Sequence, residues 1–176
     1  AVVTNIDADH LETYGGDFRR LRATFIEFLQ RLPFYGLAVM CVDDAEVRGV
    51  IDEIGRPALT YGIDGPADQP ATDIRFEANG AHFKVLLADG TVEPMHVQLP
   101  GRHNVLNALA AIAVARELGV SFDAMRKALA EFQGVGRRCE SHGDWQVGGA
   151  TVRIVDDYGH HPRELKVTFD AIRGAY

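Results

Sequence analysis

The chain has 176 residues, of which 47% are hydrophobic and 24% charged, and these are ordinary proportions for a globular protein with a hydrophobic core. Its formal net charge of −7 argues against nonspecific binding to nucleic acid, which needs a basic surface, but allows a small anionic ligand held by a few arginines. No apolar run approaches the roughly 18 residues of a membrane-spanning helix, so we expect no membrane partner. The two cysteines, Cys41 and Cys139, have no metal-ligand spacing and predict free thiols in a cytoplasmic protein.

The first third of the chain alternates between apolar strands and amphipathic helices. Strands are predicted at residues 1–6, 37–42 and 58–63, and helices at residues 17–32 and 44–54. Asp17 is the expected N-cap of the first helix, Pro33 ends that helix, and Gly55 closes the second. This order predicts an α/β fold with a doubly wound, mostly parallel sheet.

The middle of the chain changes to alternating apolar and polar residues, which predicts an antiparallel meander. Its strands are predicted at residues 73–78, 82–87 and 92–99, with the turn dipeptides NG at residues 79–80 and DG at residues 89–90. Two helices are predicted next, at residues 103–118 and 121–132. Ser121 is the expected N-cap of the second of these helices.

The last part of the chain predicts a hairpin and a helix. The hairpin strands are predicted at residues 140–147 and 150–155, the second of them buried, and the helix at residues 162–173. Gly134 and Gly136 form a flexible joint, so we expect a domain boundary near residues 136–138. The chain begins in an apolar strand without Met and ends in a helical pattern, so we expect it to be part of a longer protein.

Three polar segments lie at predicted strand ends or helix starts, where ligands usually bind in α/β proteins. The first contains Asp7, Asp9 and His10, directly after a strand. Carboxylates combined with one imidazole suit Mg²⁺ or Mn²⁺. The alternative is a water-exposed turn that caps a helix, and the spacing of these residues leaves both interpretations open.

The second polar segment, residues 100–107, contains two asparagines at helical spacing. Asn104 and Asn107 share one face near a helix start. Each side-chain amide offers a donor and an acceptor, which matches the edge of an adenine base, and a helix start also favours anions. The alternative is that Asn104 is a simple N-cap and Asn107 lies on a solvated face.

The third polar segment, residues 155–162, contains two aspartates, a tyrosine and two histidines, which suit a metal, a ribose or a substrate carboxylate. Just upstream, Arg137 and Arg138 offer planar forks that suit phosphate oxygens. Zinc is disfavoured, because no thiolate or second histidine lies at helical ligand spacing nearby. The alternatives are a plain polar loop and two surface arginines at a linker.

The three segments together, in this order, resemble the ATP-dependent Mur ligases of peptidoglycan synthesis, and most closely the branch that adds L-alanine. The matching motifs span nearly the whole chain: NIDADH at residues 5–10, TYGGDF at 13–18, LPFYG at 32–36, PGRHN at 100–104 with Asn107, FQGVGRR at 132–138 and VDDYGHHP at 155–162. The family has a UDP-sugar domain, a central ATPase domain and a Rossmann-like C-terminal domain. The resemblance implies that residues 1–136 are the second half of the central domain and that residues 137–176 begin the C-terminal domain.

The resemblance also implies roles for individual residues in a site for ATP and Mg²⁺ or Mn²⁺. His10 is similar to the family's magnesium-binding histidine. Asn104 and Asn107 match the pair at the adenine, Arg138 matches the arginine that contacts the phosphates, and Asp157 matches the acid at the ribose.

His160 and His161 match the stretch that faces the acyl substrate. One departure from the family is that residues 17–32 contain no lysine, so the carbamylated lysine that holds metal in some relatives has no counterpart in this helix.

The implied reaction joins L-alanine to UDP-N-acetylmuramate through an acyl phosphate. The chain contains no G-x-x-x-x-G-K-[ST] phosphate loop and no G-x-G-x-x-G after a strand, so we expect these 176 residues to be inactive alone. The alternatives are the related ligase that recycles murein tripeptide and a nucleotide-binding module without catalysis.

Overall fold

The structure is a computed structural model and describes residues 1–77 and 80–175. The strands are β1 (Val2–Val3), β2 (Ala38–Cys41), β3 (Ala58–Gly62), β4 (Gln69–Glu77), β5 (Gly80–Leu86), β6 (Val92–Val97), β7 (Glu140–Val147) and β8 (Ala150–Asp156). The α-helices are α1 (Phe18–Gln30), α2 (Ala45–Val50), α3 (Arg102–Glu117), α4 (Phe122–Glu131) and α5 (Pro162–Ala175). Short 3₁₀ turns occur at Leu11–Tyr14 and Ile51–Glu53. Among these described helices, none is long and apolar enough to cross a membrane.

Six strands form one mixed sheet in the order β1-β2-β3-β4-β5-β6. The pairs from β1 to β4 are parallel and the pairs β4–β5 and β5–β6 are antiparallel, which confirms the α/β class and the meander. β4 begins at Gln69 rather than at residue 73, because Gln69 and Pro70 pair with the end of β3 before the strand joins the meander. Residues 78 and 79 lie outside the described part of the chain. The predicted strand end at residue 78 and the first residue of the predicted turn at residues 79–80 therefore cannot be compared with the structure.

Helices cover both faces of the parallel part of the sheet. On one face, residues of α1 and α2 pack against Ala38 and Met40 of β2. On the other face, residues of α3 and α4 pack against Val39 and Cys41 of the same strand. All four residues of β2 are buried because successive side chains of a strand point to opposite faces, and here each face meets a hydrophobic core.

Local capping explains where the helices begin. The Asp17 side chain accepts a hydrogen bond from the Arg19 N–H at 2.9 Å, and the Ser121 hydroxyl accepts one from the Ala124 N–H at 3.3 Å, so both predicted N-caps are confirmed. The single helix predicted at residues 44–54 is wrong beyond Val50, where the chain tightens into a 3₁₀ turn. Side chains of α1 donate hydrogen bonds to the carbonyls of Gly49 and Glu53 in this region.

Two further strand predictions need correction. β1 is only Val2–Val3, since it pairs with β2 through these two residues alone and the chain then turns away. The predicted buried strand at residues 150–155 is wrong in its burial, because residues 150–154 are exposed. The predicted hairpin itself is confirmed, but no described element buries the exposed side chains of Trp145, Val147, Val152 and Ile154.

Candidate functional site

A cleft of about 1410 Å³ opens where β1, β2 and β3 end and α3 begins. Its far wall comes from the C-terminal segment, so residues from opposite ends of the chain face each other across it. The candidate residues among its lining are His10, Asn104, Asn107, Arg138, Asp157 and His161. Clefts at the carboxyl ends of parallel strands are the usual ligand sites of such sheets.

The His10 loop is shaped by its own aspartates. Asp7 Oδ1 accepts a hydrogen bond from the Ala8 N–H, and Asp9 Oδ1 accepts one from the His10 N–H, both at 2.8 Å. His10 adopts the left-handed backbone conformation with φ of 51°, and its side chain is 76% exposed. The imidazole Nε2 lies 3.7 Å from Asp9 Oδ2, so the loop presents one imidazole beside one carboxylate to the cleft.

This donor set fits a magnesium or manganese ion that is shared with a phosphate ligand. Mg²⁺ usually keeps several waters and takes one or two protein ligands together with substrate phosphates, so a complete protein cage is not required. Within the part of the chain that the structure describes, the three-ligand group whose atoms converge within 4.8 Å lies elsewhere, at Glu140, His142 and Asp156. That group is on the exposed hairpin, and there the Arg137 N–H donates to Glu140 and the Arg137 side chain lies 3.7 Å from Asp156.

Gly101 caps α3, so the alternative in which Asn104 is the N-cap is wrong. The Asn104 side chain instead donates a hydrogen bond from Nδ2 to the Pro100 carbonyl at 2.8 Å, which fixes the amide at the cleft wall. Asn107 is exposed and also lines the cleft, one helical turn further along. Both amides therefore face the same space, as recognition of a base edge requires.

Arg138 lies in a strained tract that sets its direction. Its two neighbours, Arg137 and Cys139, have φ of 61° and 51°, and a non-glycine residue in this left-handed region costs on the order of 1–3 kcal/mol. Four hydrogen bonds hold the tract: Arg137 N–H to Glu140 Oε2, Arg138 N–H to the Val135 carbonyl, Cys139 N–H to Asp157 Oδ2, and Tyr158 N–H to the Arg137 carbonyl. The Arg138 guanidinium lies 3.8 Å from Glu164 Oε1 and projects into the cleft lining.

Asp157 is a half-buried carboxylate that stays ionised. Burial by itself raises the pKa of Asp157, but hydrogen bonds from the Gly159 and Cys139 N–H groups at 2.7 and 2.9 Å outweigh burial and lower the pKa overall. The Thr168 hydroxyl and the charge of Arg138 act in the same direction. A carboxylate fixed in this way is a ready acceptor for ligand hydroxyl groups.

The two histidines before α5 are placed differently. The Glu164 carboxylate accepts hydrogen bonds from the N–H groups of His160 and His161 at 3.1 and 3.3 Å, and these bonds lower the pKa of Glu164. Pro162 at the first helical position and Glu164 two residues later form a capping arrangement that the sequence could have revealed. His161 lines the cleft, whereas the His160 ring is exposed and lies 3.3 Å from the Tyr158 carbonyl, outside the lining.

A carboxylate that the sequence analysis did not single out organises the floor of the cleft. Asp43 accepts hydrogen bonds from the N–H groups of Ile63 and Asp64 at 3.0 and 3.1 Å, and it pairs with Arg102 at 2.5 Å. Arg102 also lies 2.6 Å from Asp64 Oδ2. The Arg102 guanidinium is therefore already paired with two carboxylates of the protein. Next to it, burial lowers the pKa of His103, against the opposing charge of Asp157, so the His103 ring is neutral near pH 7.

The substitution Gly101→Ala is expected to destabilise the fold. Gly101 has φ of 98°, and an added Cβ would lie 2.7 Å from the Ala171 Cβ and 2.8 Å from the His103 ring. Because the backbone conformation is unfavourable for alanine and α5 blocks the space, we expect a loss of about 1–3 kcal/mol in the free energy of unfolding. Urea unfolding checks this loss, and Gly65→Ala, at an open position with ordinary φ, is the matched control. Equal midpoints for the two variants would contradict the expectation.

The fold and the cleft define the class of this protein as an α/β domain with a cleft at the carboxyl ends of its parallel strands, where ligands usually bind in this class. Residues 1–115 match the Mur ligase middle domain, and the chain belongs to this family.

The chain is also similar over its whole length to curated and solved proteins. It is 54% identical over 176 residues to the UDP-N-acetylmuramate–L-alanine ligase of Halorhodospira halophila, covering 100% of this chain and 36% of that relative. The solved UDP-N-acetylmuramate–alanine ligase of Thermotoga maritima is 26% identical with a TM-score of 0.79, over 99% of this chain and 38% of that structure. MurF from Acinetobacter baumannii has a TM-score of 0.82 at 24% identity, over 100% and 37% of the two chains, which shows the shared fold.

Proposed function

We propose that the full-length protein carrying this chain is an ATP-dependent ligase that joins L-alanine to UDP-N-acetylmuramate. The observation that carries the proposal is that five residues from four separate motifs converge on one cleft: His10, Asn104, Asn107, Arg138 and Asp157. The identity of 54% to a relative named for this activity supports the choice of substrates. The chain spans about 36% of that relative's length, so the activity is proposed for the longer protein.

In this proposal the cleft wall binds ATP from one end to the other. Asn104 and Asn107 present amides to the adenine edge, and the ionised Asp157 accepts hydrogen bonds from the ribose hydroxyls. Arg138 places a guanidinium at the phosphates, where a planar fork matches the oxygens. His10 would help hold Mg²⁺ or Mn²⁺, which supplies positive charge to neutralise the phosphates when it is bound.

The proposed reaction has two steps. The lactyl carboxylate of UDP-N-acetylmuramate attacks the γ-phosphorus of ATP, which gives an acyl phosphate and ADP. The amine of L-alanine then attacks the acyl carbon, loses a proton and expels phosphate to form the amide. The contribution of this chain is positioning and charge neutralisation, and His160 and His161 are proposed to face the acyl substrate.

We also propose that residues 1–136 are the second half of a central ATP-binding domain and that residues 137–176 begin a C-terminal domain. The six-stranded sheet and its covering helix α4, which ends at Glu131, support this division, as does the separate β7–β8 sheet. The ATP site then lies between two domains and can close over the nucleotide. The 176 residues alone are expected to release no phosphate, because they contain no lysine-bearing phosphate loop.

Phosphate release by the full-length protein tests the proposal. The protein is mixed with ATP, UDP-N-acetylmuramate and either L-alanine or murein tripeptide. Turnover with L-alanine at a rate on the order of 1 per second or more supports the proposal. Turnover only with the tripeptide would identify the recycling ligase, and ATP binding without turnover would identify a nucleotide-binding module; either result overturns the proposal.

The substitution Asn107→Ala in the full-length protein is expected to raise the KM for ATP while the protein keeps its stability. The exposed amide makes its proposed contact with the ligand, and one lost hydrogen bond of about 0.5–1.5 kcal/mol corresponds to a several-fold change. Steady-state kinetics and thermal unfolding measure the two quantities. Gln133→Ala, which removes a similar amide outside the cleft lining, is the control. An unchanged KM for ATP would show that Asn107 does not bind the base.

A further inference from the structure

One side chain of α5 connects the C-terminal segment to two strand ends on the opposite side of the cleft. Arg163 Nη1 lies 3.2 Å from Asp7 Oδ2, and Arg163 Nη2 lies 3.0 Å from Asp44 Oδ2. Asp7 belongs to the loop after β1, and Asp44 follows β2. The guanidinium therefore uses its planar fork to bridge two carboxylates that are far from it in sequence.

Both carboxylates are already fixed by other bonds. Asp44 Oδ1 caps α2 by accepting hydrogen bonds from the N–H groups of Glu46 and Val47 at 3.1 and 3.0 Å, and the Asp44 side chain is only 8% exposed. Asp7 Oδ1 holds the Ala8 N–H, and the Asp7 side chain is 30% exposed. Each carboxylate is thus already held in place, and its second oxygen faces Arg163. Partial burial of the two ion pairs limits their screening by salt.

The residues joined by Arg163 adjoin the proposed site on both sides. Asp7 precedes the metal-binding candidate His10 by three positions, in a loop that its own hydrogen bonds make compact. On the other side, Arg163 lies between His161 and Glu164, and Glu164 lies 3.8 Å from the Arg138 guanidinium. Movement of α5 away from Asp7 and Asp44 would therefore carry this wall of the cleft away from the His10 loop.

We propose that Arg163 is a positioning residue that keeps the cleft closed before the nucleotide binds, by pairing with Asp7 and Asp44. This inference deepens the proposed ligase function, and its kinetic test rests on that function. If these ion pairs are lost, a smaller fraction of the protein is in the closed state. The apparent affinity for a ligand that binds the closed state falls in proportion to that fraction. Saturating ATP restores closure by mass action, so KM rises while kcat changes little.

The kinetic experiment compares three variants of the full-length protein. Arg163→Ala is expected to raise the KM for ATP about tenfold with kcat within about twofold, since tenfold corresponds to about 1.4 kcal/mol, the scale of a charge-assisted hydrogen bond. Arg163→Lys keeps the charge but not the fork, and it should recover part of the loss. Arg173→Ala, which removes an exposed arginine from the last turn of the same helix, should leave KM unchanged.

A second measurement does not depend on catalysis. Amide hydrogen exchange at the start of α5 is expected to be faster in nucleotide-free Arg163→Ala than in the parent protein or in Arg173→Ala. Asp44→Asn, which retains an oxygen to cap α2 but removes the charge, should have a smaller effect in the same direction, because the Arg163–Asp7 pair remains. Combining it with Arg163→Ala should add little, because Arg163→Ala already breaks the contact with Asp44.

The outcomes separate this inference from the proposed function. If the parent protein shows no ligase turnover, the proposed function fails, and hydrogen exchange still decides the role of Arg163. If Arg163→Ala changes neither the exchange nor the KM for ATP, the inference about Arg163 is wrong. A fall in kcat with an unchanged KM would also overturn it, because that pattern indicates a direct role in the chemical step.

Discussion

Replacing Arg138 by alanine in the full-length protein is expected to lower kcat by about 10²–10³-fold, the range seen when one preorganised donor to a developing charge is removed. The reason is that negative charge on the transferred phosphoryl group needs a fixed cationic partner. The strained tract around Arg138, with left-handed residues on both sides, holds the guanidinium in place before the ligand arrives. Single-turnover kinetics at saturating ATP measure this loss directly.

The neighbouring arginine provides a matched control for this prediction. The Arg137 guanidinium packs 4.9 Å from the centre of the Tyr158 ring and lies 3.7 Å from Asp156, and it is not part of the cleft lining. Arg137→Ala removes the same charge one position away and should affect kcat much less. If the two alanine variants lose activity equally, the effect comes from net charge or from the fold of the tract rather than from a phosphate contact.

The second large effect is expected for His10→Ala, which should raise the Mg²⁺ concentration for half-maximal rate by about 10–100-fold, the usual cost of disturbing a metal site. His10 is exposed and directed to the cleft, so its loss should alter metal binding more than stability. The rate is measured at increasing Mg²⁺, and Mn²⁺ binding to the protein with ATP is followed separately by electron paramagnetic resonance.

His82→Ala is the control for His10, because it removes an exposed imidazole on β5 outside the cleft lining. This variant should show the same Mg²⁺ dependence as the parent protein. An unchanged Mg²⁺ dependence and unchanged Mn²⁺ binding in His10→Ala would mean that His10 only shapes its loop.

Local patterns in the sequence predicted most of the fold, because helix periodicity and caps act over a few residues. The helix at residues 17–32 is confirmed as Phe18–Gln30 with Asp17 as its N-cap. The burial of β8 was predicted wrongly because a local apolar pattern does not show whether another element covers the strand. The early start of β4 depends on pairing with the distant β3, which leaves no local signal.

In the candidate site, too, residues in local motifs could be predicted from the sequence, whereas contacts between distant residues could not. Motif residues such as Asn107, Arg138 and Asp157 could be proposed from the sequence, and the structure places them in one cleft. Arg163 was not proposed, because its partners Asp7 and Asp44 are distant in sequence and ion pairs of this kind have no periodic pattern.

The alternation of β2 continues beyond the strand into the two aspartates that follow it. Val39 and Cys41 face the core beneath α3, and Asp43 contacts Arg102 on that side; Met40 faces the core beneath α2, and Asp44 caps that helix. Deleting or inserting one residue in β2 would therefore turn the core residues of the strand and both aspartates to the opposite faces of the sheet. We expect that this strand accepts conservative replacements but no change in length, whereas the turn around Gly90 has room for insertions.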